Sequence, residues 1–280
     1  MRMNAPPATD IGGALAWARK RIPPSEARLL LRHVCHQPAA HLAAWPEEVL
    51  PTAAWNAFRA LVERRAAGEP VAYLTGEREF YGRVFKVSPK VLIPRPETEL
   101  LVELALAHYA AAPGVKALDL GTGSGVLAIT LALELARPRI VAVDCSREAL
   151  EVAAANAVRL AANVSFLCGN WFVGLGREQF DLIVANPPYV AEDDPHLVMG
   201  DLRFEPRRGL AASRGGLSEL ASIIADAGGH LETGGRIFME HGYDQAAAVR
   251  GLLTDAGFAD IASWRDMAGI ERVSGGRWTG

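Results

Sequence analysis

The chain has 280 residues, half of them apolar and 22% charged, enough to bury a sizeable core in one large domain or in a large and a small one. Its formal net charge of −3 gives no overall attraction to a phosphate backbone, so a nucleic-acid binder would need a local basic patch. The three cysteines, Cys35, Cys145 and Cys168, form no Cys-x-x-Cys pair; this disfavours a disulfide framework or a zinc ribbon, and the thiols read as small buried hydrophobes in a reducing compartment.

Residues 1–10 contain one arginine and two prolines and no apolar core, so they do not read as a signal peptide. No later apolar run approaches membrane-spanning length, and a cytoplasmic protein with no membrane partner is expected. From about Asp10 to Leu74 the pattern is helical. Ile11, Leu15 and Ala18 share a face, Ser25 reads as an N-cap before Ala27 to Leu31, and Trp55, Phe58, Leu61 and Val62 line one side of a helix opened by Pro51-Thr52. Residues 1–76 are thus expected to form a small helical domain without strands. Glu77 to Val87 reads as a β-hairpin turning near Gly82-Arg83, in a linker spanning residues 77–93.

Pro94 to Glu99 starts a helix reaching about Ala111, with Pro96 and the acids suited to its first turn. Strand and helix then alternate. Strands are expected at Lys116–Leu120, Arg139–Val143, Val164–Leu167, Phe180–Ala185, Arg236–Glu240, Ile261–Arg265 and Ile270–Ser274. Helices are expected at Val126–Ala136, Arg147–Leu160, Ser218–Leu231 and Gln245–Ala256. Residues 94–280 therefore read as an α/β domain whose mostly parallel sheet is covered on both faces.

Two strand ends carry chemistry. Ala117 to Leu120 runs into Gly121-Thr122-Gly123-Ser124-Gly125, where glycines let a ligand approach the backbone. Asp144, ending the second strand, is placed to accept hydrogen bonds from ribose hydroxyls, or else to cap the helix beginning at Arg147. A dinucleotide fingerprint would need another glycine where Val126 stands, and a phosphate loop would need Gly-Lys-Ser/Thr. With the leading acid Asp119, the loop resembles the first motif of S-adenosylmethionine methyltransferases. Asn170 and Trp171 follow the third strand, where an indole can stack on adenine or simply fill the core.

The second end is Asn186-Pro187-Pro188-Tyr189. Two prolines cannot continue a ladder, so the strand ends in a rigid corner. Such a corner suits a primary amide or an exocyclic base amine, whose nitrogen lone pair is delocalised. The Asn186 side-chain oxygen and the Pro187 carbonyl can accept its two hydrogens, favouring a more pyramidal nitrogen as charge develops. Tyr189 can stack on the planar group and exclude water. No strong base is required before transfer.

Over nearly its whole length the chain resembles the release-factor glutamine N5-methyltransferases of the PrmC/HemK type. The match is carried by Tyr73 to Gly76, Glu79 to Gly82, Leu92 to Glu99, Gly121 to Gly125, Asn186 to Tyr189, Arg203 to Pro206 and Glu240 to Gly242. The resemblance implies an α/β fold class, a seven-stranded Rossmann-like methyltransferase sheet with a small N-terminal helical domain and a β-hairpin linker. It implies methyl transfer from S-adenosylmethionine to the glutamine of the Gly-Gly-Gln motif of peptide chain release factors, by a monomer that needs no nucleic acid. Residue by residue, it places Gly121, Thr122, Gly123, Ser124, Gly125, Asp144, Trp171 and Asn186 at the cofactor. It places Asn186, Pro187, Pro188 and Tyr189 at the substrate glutamine, with Asn186 and Tyr189 catalytic, and Phe80 and Arg95 lining the site. Asn170 departs from the acid that relatives often carry there.

Other features stay open. His241 can reach a cleft or hydrogen-bond at a strand end; Glu205-Pro206 can shape a mouth or cap a turn. Arg203, Arg207 and Arg208 can be a solvated face or meet an acidic or RNA-shaped partner. The spacing of His33, Cys35, His36 and His41 fits no common zinc pattern, so no metal site is expected. Two other readings compete: a base-amine methyltransferase acting on DNA or RNA, and a non-catalytic nucleoside-sensing module.

Overall fold

The computed structural model describes residues 9–280; the signal-peptide reading of residues 1–10 lies, apart from Thr9 and Asp10, outside them. Two compact units divide the chain between Gly76 and Glu77.

The first unit is helical: α1 (Ile11–Ala18), α2 (Pro24–Cys35), α3 (Ala39–Ala44), α4 (Thr52–Ala66) and α5 (Val71–Thr75). Its core gathers Ile11, Leu15, Leu30, Leu31, Phe58 and Val62, all buried. These are the apolar positions that recur at helical spacing. Asp10 caps α1, its carboxylate accepting from the Gly13 N–H at 2.6 Å. Ser25 is not a cap, contrary to the sequence reading. Pro24 is the first residue of α2, and no side chain accepts from that turn; a proline there has no N–H to satisfy. The stretch is also not wholly strand-free, because Asp10 and Val49 form an isolated antiparallel bridge.

The second unit opens with the hairpin β1 (Glu77–Phe80) and β2 (Arg83–Lys86). Its register pairs Phe80 with Arg83, so the turn is Tyr81-Gly82, one residue earlier than expected. Both turn residues have positive φ, 49° and 72°, which matches the twist of a two-stranded ribbon. There follow α6 (Glu99–Tyr109), β3 (Lys116–Leu120), α7 (Val126–Glu134), β4 (Arg139–Asp144), α8 (Arg147–Leu160), β5 (Val164–Cys168) and β6 (Phe180–Ala185). The chain continues with the short pair β7 (Val190–Ala191) and β8 (Ala211–Ala212), the single turn α9 (Ser213–Gly216), α10 (Ser218–Ala227) and β9 (Leu231–Glu240). It closes with α11 (Ala246–Asp255), β10 (Ala259–Arg265) and β11 (Glu271–Arg277).

Seven strands form one sheet in the order β10-β11-β9-β6-β3-β4-β5. The pairings β9–β6–β3–β4–β5 are parallel, and β11 runs antiparallel to both β9 and β10. Side chains alternate across it. Leu182, Val184 and Phe238 enter one core with Leu101, Val102 and Ile129, while Leu118, Ile183 and Ile237 enter the other with Leu220, Ile224 and Val249. The hairpin belongs to this unit: buried Phe80 and Phe85 join the first core. The fully buried Asn156 on α8 ties it further, its Oδ1 accepting from Lys86 N–H at 2.8 Å and its Nδ2 donating to the Lys86 and Ser124 carbonyls at 2.9 Å. β9 starts at Leu231, five residues before the expected Arg236, and a register shift against β6 absorbs Gly234-Gly235.

β3 lies between β4 and β6, so successive strands leave it in opposite directions. A crevice opens outside the carboxyl ends at such a reversal. Gly121, Asp144, Asn186 and Glu240 all stand at those ends.

Candidate active site

The crevice is a cavity of about 870 Å³, lined among others by Gly121, Gly123, Asp144, Trp171, Asn186 and Pro188, a size suited to a nucleoside-bearing ligand. Two surface segments, around Pro89–Leu92 and Pro206–Ala211, also line it. Glu205 joins them. Its side chain is fully buried, one oxygen accepts from the Ile93 N–H at 2.9 Å, and the other pairs with Arg95. Burial pushes the Glu205 carboxyl above its usual range, and Arg95 opposes that rise. Glu205-Pro206 therefore shapes the mouth.

On the glycine-loop side, Asp144 Oδ2 accepts from Gly123 N–H at 2.9 Å and Oδ1 from Ser146 N–H at 2.8 Å. The cap of α8 is Ser146, which accepts from Ala149 N–H. Asp144 thus braces the loop, and each oxygen retains a lone pair for a ligand donor. Gly121, with φ +76°, faces the Trp171 ring; a Cβ there would sit 3.3 Å from it. The indole N–H donates to Glu219 Oε2 at 2.8 Å, which fixes the plane of the ring. Asp119 is buried behind the loop. Its Oδ2 accepts from the Thr122 hydroxyl at 2.7 Å and Ala128 N–H at 3.1 Å, while Oδ1 has no protein partner. Burial pushes this carboxyl up to about 7.

On the other side, β6 ends at Ala185 and Asn186-Pro187-Pro188-Tyr189 turns away. The corner is held from behind. Gln245 donates to the carbonyls of Tyr189 and Gly215, both at 3.0 Å. Asn186 Nδ2 donates to Thr98 Oγ1 at 3.1 Å, and the Thr98 hydroxyl donates to Glu240 Oε2 at 2.7 Å. The Tyr189 hydroxyl donates to Glu240 Oε1 at 2.9 Å. Burial, then Glu240, pushes the phenol well above its usual range, so Tyr189 stays a neutral donor.

A model of the PrmC N-terminal domain matches residues 13–76, and a model of the methyltransferase small domain matches residues 97–204. The release factor glutamine methyltransferase of Bordetella pertussis is 50% identical over 256 residues, covering 91% of this chain and 95% of that protein. The chain belongs to the release factor glutamine methyltransferase family. Its counterpart in Vibrio cholerae is 46% identical, covering 91% of this chain and 90% of that protein. A methyltransferase structure from Pyrococcus furiosus superimposes with a TM-score of 0.54 at 19% identity, covering 79% of this chain and 98% of that one; at that identity it speaks for the fold alone.

The seven-stranded sheet expected from this family is the one observed. Of the site residues read from the sequence, Gly121, Gly123, Asp144, Trp171, Asn186 and Pro188 line one cavity. Thr122 and Ser124 are buried in the loop, and Tyr189 reaches Glu240. Two expectations are corrected, those for Phe80 and the cysteines, and the open choice at His241 falls to its strand-end reading. Phe80 is 1% exposed and packs on Phe85 in the core rather than lining the cleft, because β1 turns that side chain toward the sheet. His241 is fully buried, its ring within 2.8 Å of Ser274 Oγ and the Gly242 carbonyl, which makes it a strand-end anchor. Cys145 and Cys168 are exposed and Cys35 is half-buried, because the first two stand at the cleft ends of β4 and β5 rather than between layers. Arg208 lines the cavity, Arg207 donates to the Glu192 carbonyl at 3.1 Å, and Arg203 lies over the Phe204 ring.

The family motifs ran through Thr98 and Glu240 without giving either a role, and did not include Glu219. Glu240 had a legible signal, an acid ending the apolar run Ile237-Phe238-Met239. Nothing in Pro-Glu-Thr-Glu singles out the threonine, and Glu219 becomes visible only once α10 is placed beside Trp171.

Proposed function

We propose that this chain transfers a methyl group from S-adenosylmethionine to the side-chain amide nitrogen of a glutamine in peptide chain release factors, the one in their Gly-Gly-Gln motif. Membership of the family supports the reaction, and one observation in the site carries it. Asn186 turns its NH2 group to Thr98, donating one hydrogen to the Thr98 hydroxyl, and keeps its oxygen for a donor entering the cleft.

The cavity suits the cofactor. Gly121 offers backbone without a Cβ beneath a fixed indole, and Asp144 presents carboxylate lone pairs where two ribose hydroxyls can donate. Gly121 to Gly125, Asp144 and Trp171 would hold it, with Asn186 between it and the substrate. When bound, it supplies an electrophilic methyl group on a sulfonium centre.

This chain's residues supply position more than proton transfer. Asn186 Oδ1 and the Pro187 carbonyl accept the two hydrogens of the substrate amide, and Tyr189 covers its plane. These bonds strengthen as positive charge grows on nitrogen, so they stabilise the transition state more than the ground state. Ordering of this kind contributes up to about 7–11 kcal/mol. Residues 1–76 dock the protein substrate, and residues 77–93 lead into the catalytic domain, 94–280. The enzyme works in the cytoplasm as a monomer and needs no nucleic acid. No helix among the described residues is long and apolar enough to cross a membrane.

The test is incubation of purified release factor, and separately of DNA and RNA, with enzyme and isotopically labelled methyl donor, followed by mass mapping. One labelled methyl on the release-factor glutamine is the expected result. Label on a base amine, with the release factor untouched, would favour the competing reading.

A further inference from the structure

Glu240 is 1% exposed and ends β9, beside the strand that leads into Asn186. A buried carboxylate is costly unless each oxygen finds a donor. Both do, and both donors belong to the corner or to its support: Thr98 on Oε2 and Tyr189 on Oε1. The order of donation then follows from chemistry. Burial pushes the Glu240 carboxyl up and the hydrogen bonds from Thr98 and Tyr189 oppose that rise; in its ionised form it only accepts, so the single Thr98 hydroxyl hydrogen is committed to Glu240. The Thr98 oxygen can then only accept from Asn186. Asn186 must turn its NH2 group toward Thr98, at 3.1 Å, and its oxygen the other way.

We propose that Glu240 and Thr98 are positioning residues that set which end of the Asn186 amide faces the methyl-accepting nitrogen, Glu240 also anchoring the Tyr189 ring. The proposal rests on the reading of Asn186 given above. A flipped Asn186 would present N–H groups to the N–H groups of the substrate, and the site would repel the group it must hold. Glu240 acts on Asn186 through two hydrogen bonds and touches no reacting atom.

Three variants of the full chain test it: E240Q, T98V and T98S. A glutamine offers one acceptor and one NH2 group where two hydroxyls need acceptors, so Thr98 can reverse and Asn186 can flip. In E240Q kcat should fall by about 100-fold, the scale of losing one oriented partner of the transition state, with the donor Kd unchanged. T98V keeps the shape but removes the relay, and should lower kcat by about tenfold. T98S keeps the hydroxyl and should recover kcat to within about threefold of the parent. The double variant E240Q/T98V should be no slower than E240Q, because both changes break one chain. If E240Q fails to fold, judged by its melting curve, the T98V and T98S pair decides.

Unchanged kcat in T98V would overturn the proposal. So would parallel losses of kcat, donor affinity and Tm that serine fails to restore. A parent enzyme that leaves the release-factor glutamine unmethylated would overturn the underlying reading, and the proposal with it. Parent turnover with indifferent variants would overturn the proposal alone.

Discussion

At the residue scale the proposed site divides into groups placed to meet a ligand and groups that hold them in place. Asn186→Ala removes the acceptor that faces the cleft. It should lower kcat by about 10²–10³ while calorimetry shows donor affinity largely kept; near-normal turnover would remove Asn186 from its role. Asp144→Ala should weaken donor binding by about 1–3 kcal/mol, the cost of stranding hydrogen-bond partners, read from the same titrations. Asp119 gives a pH signature. Its native carboxyl lies near 7, chiefly through burial, with Asp144 adding to the rise. The native state therefore holds a proton that the unfolded chain has released above its ordinary pKa of about 3.9. The resulting stability is full below that value and is lost as pH rises to about 7. Asp119→Asn should flatten Tm against pH between about 4 and 7; an unaltered slope would contradict the assignment. The place of Asn186 and Asp144 at the cleft was legible in the sequence because each follows or ends an apolar run beside a turn signal. Thr98 was not, since its role depends on Glu240, 142 residues away along the chain.

At the scale of elements, local chemistry placed most strands and helices within a residue or two. The misses have particular causes. Ser25 lost the cap of α2 because two prolines already fix that turn. β9 runs through Gly234-Gly235 because β6 shifts register beside it. The glycine loop shows how tightly one element can constrain a residue. Gly125 precedes α7 with φ +84°, and a Cβ there would lie 2.8 Å from Ile129 Cδ1 and 3.1 Å from Ala153 Cβ. Gly125→Ala should cost about 1–2 kcal/mol from the left-handed backbone alone, with the clash added. A melting curve that shows no loss would mean the loop is not built as described.

At the scale of the molecule, two units carry separate cores, one centred on Phe58 and the other divided by the sheet. A donor held by the second unit stabilises that unit, by about 2.7 kcal/mol at one hundred times its Kd. Hydrogen exchange should show new protection at Gly121 to Gly125 and Asn170 to Phe172 and none across Ile11 to Thr75. Protection spread through the helices would place the donor elsewhere. The division between Gly76 and Glu77 falls where helical spacing in the sequence gives way to strand patterns. The cleft was readable only in outline, because which side chains meet across parallel strands depends on strand order. The most direct measurement is a crystal structure of the enzyme with an unreactive donor analogue and a Gly-Gly-Gln peptide. The glutamine amide should lie in the corner, its hydrogens on Asn186 Oδ1 and the Pro187 carbonyl and its nitrogen facing the carbon to be transferred. An amide bound elsewhere, or an Asn186 with its oxygen turned to Thr98, would contradict the mechanism.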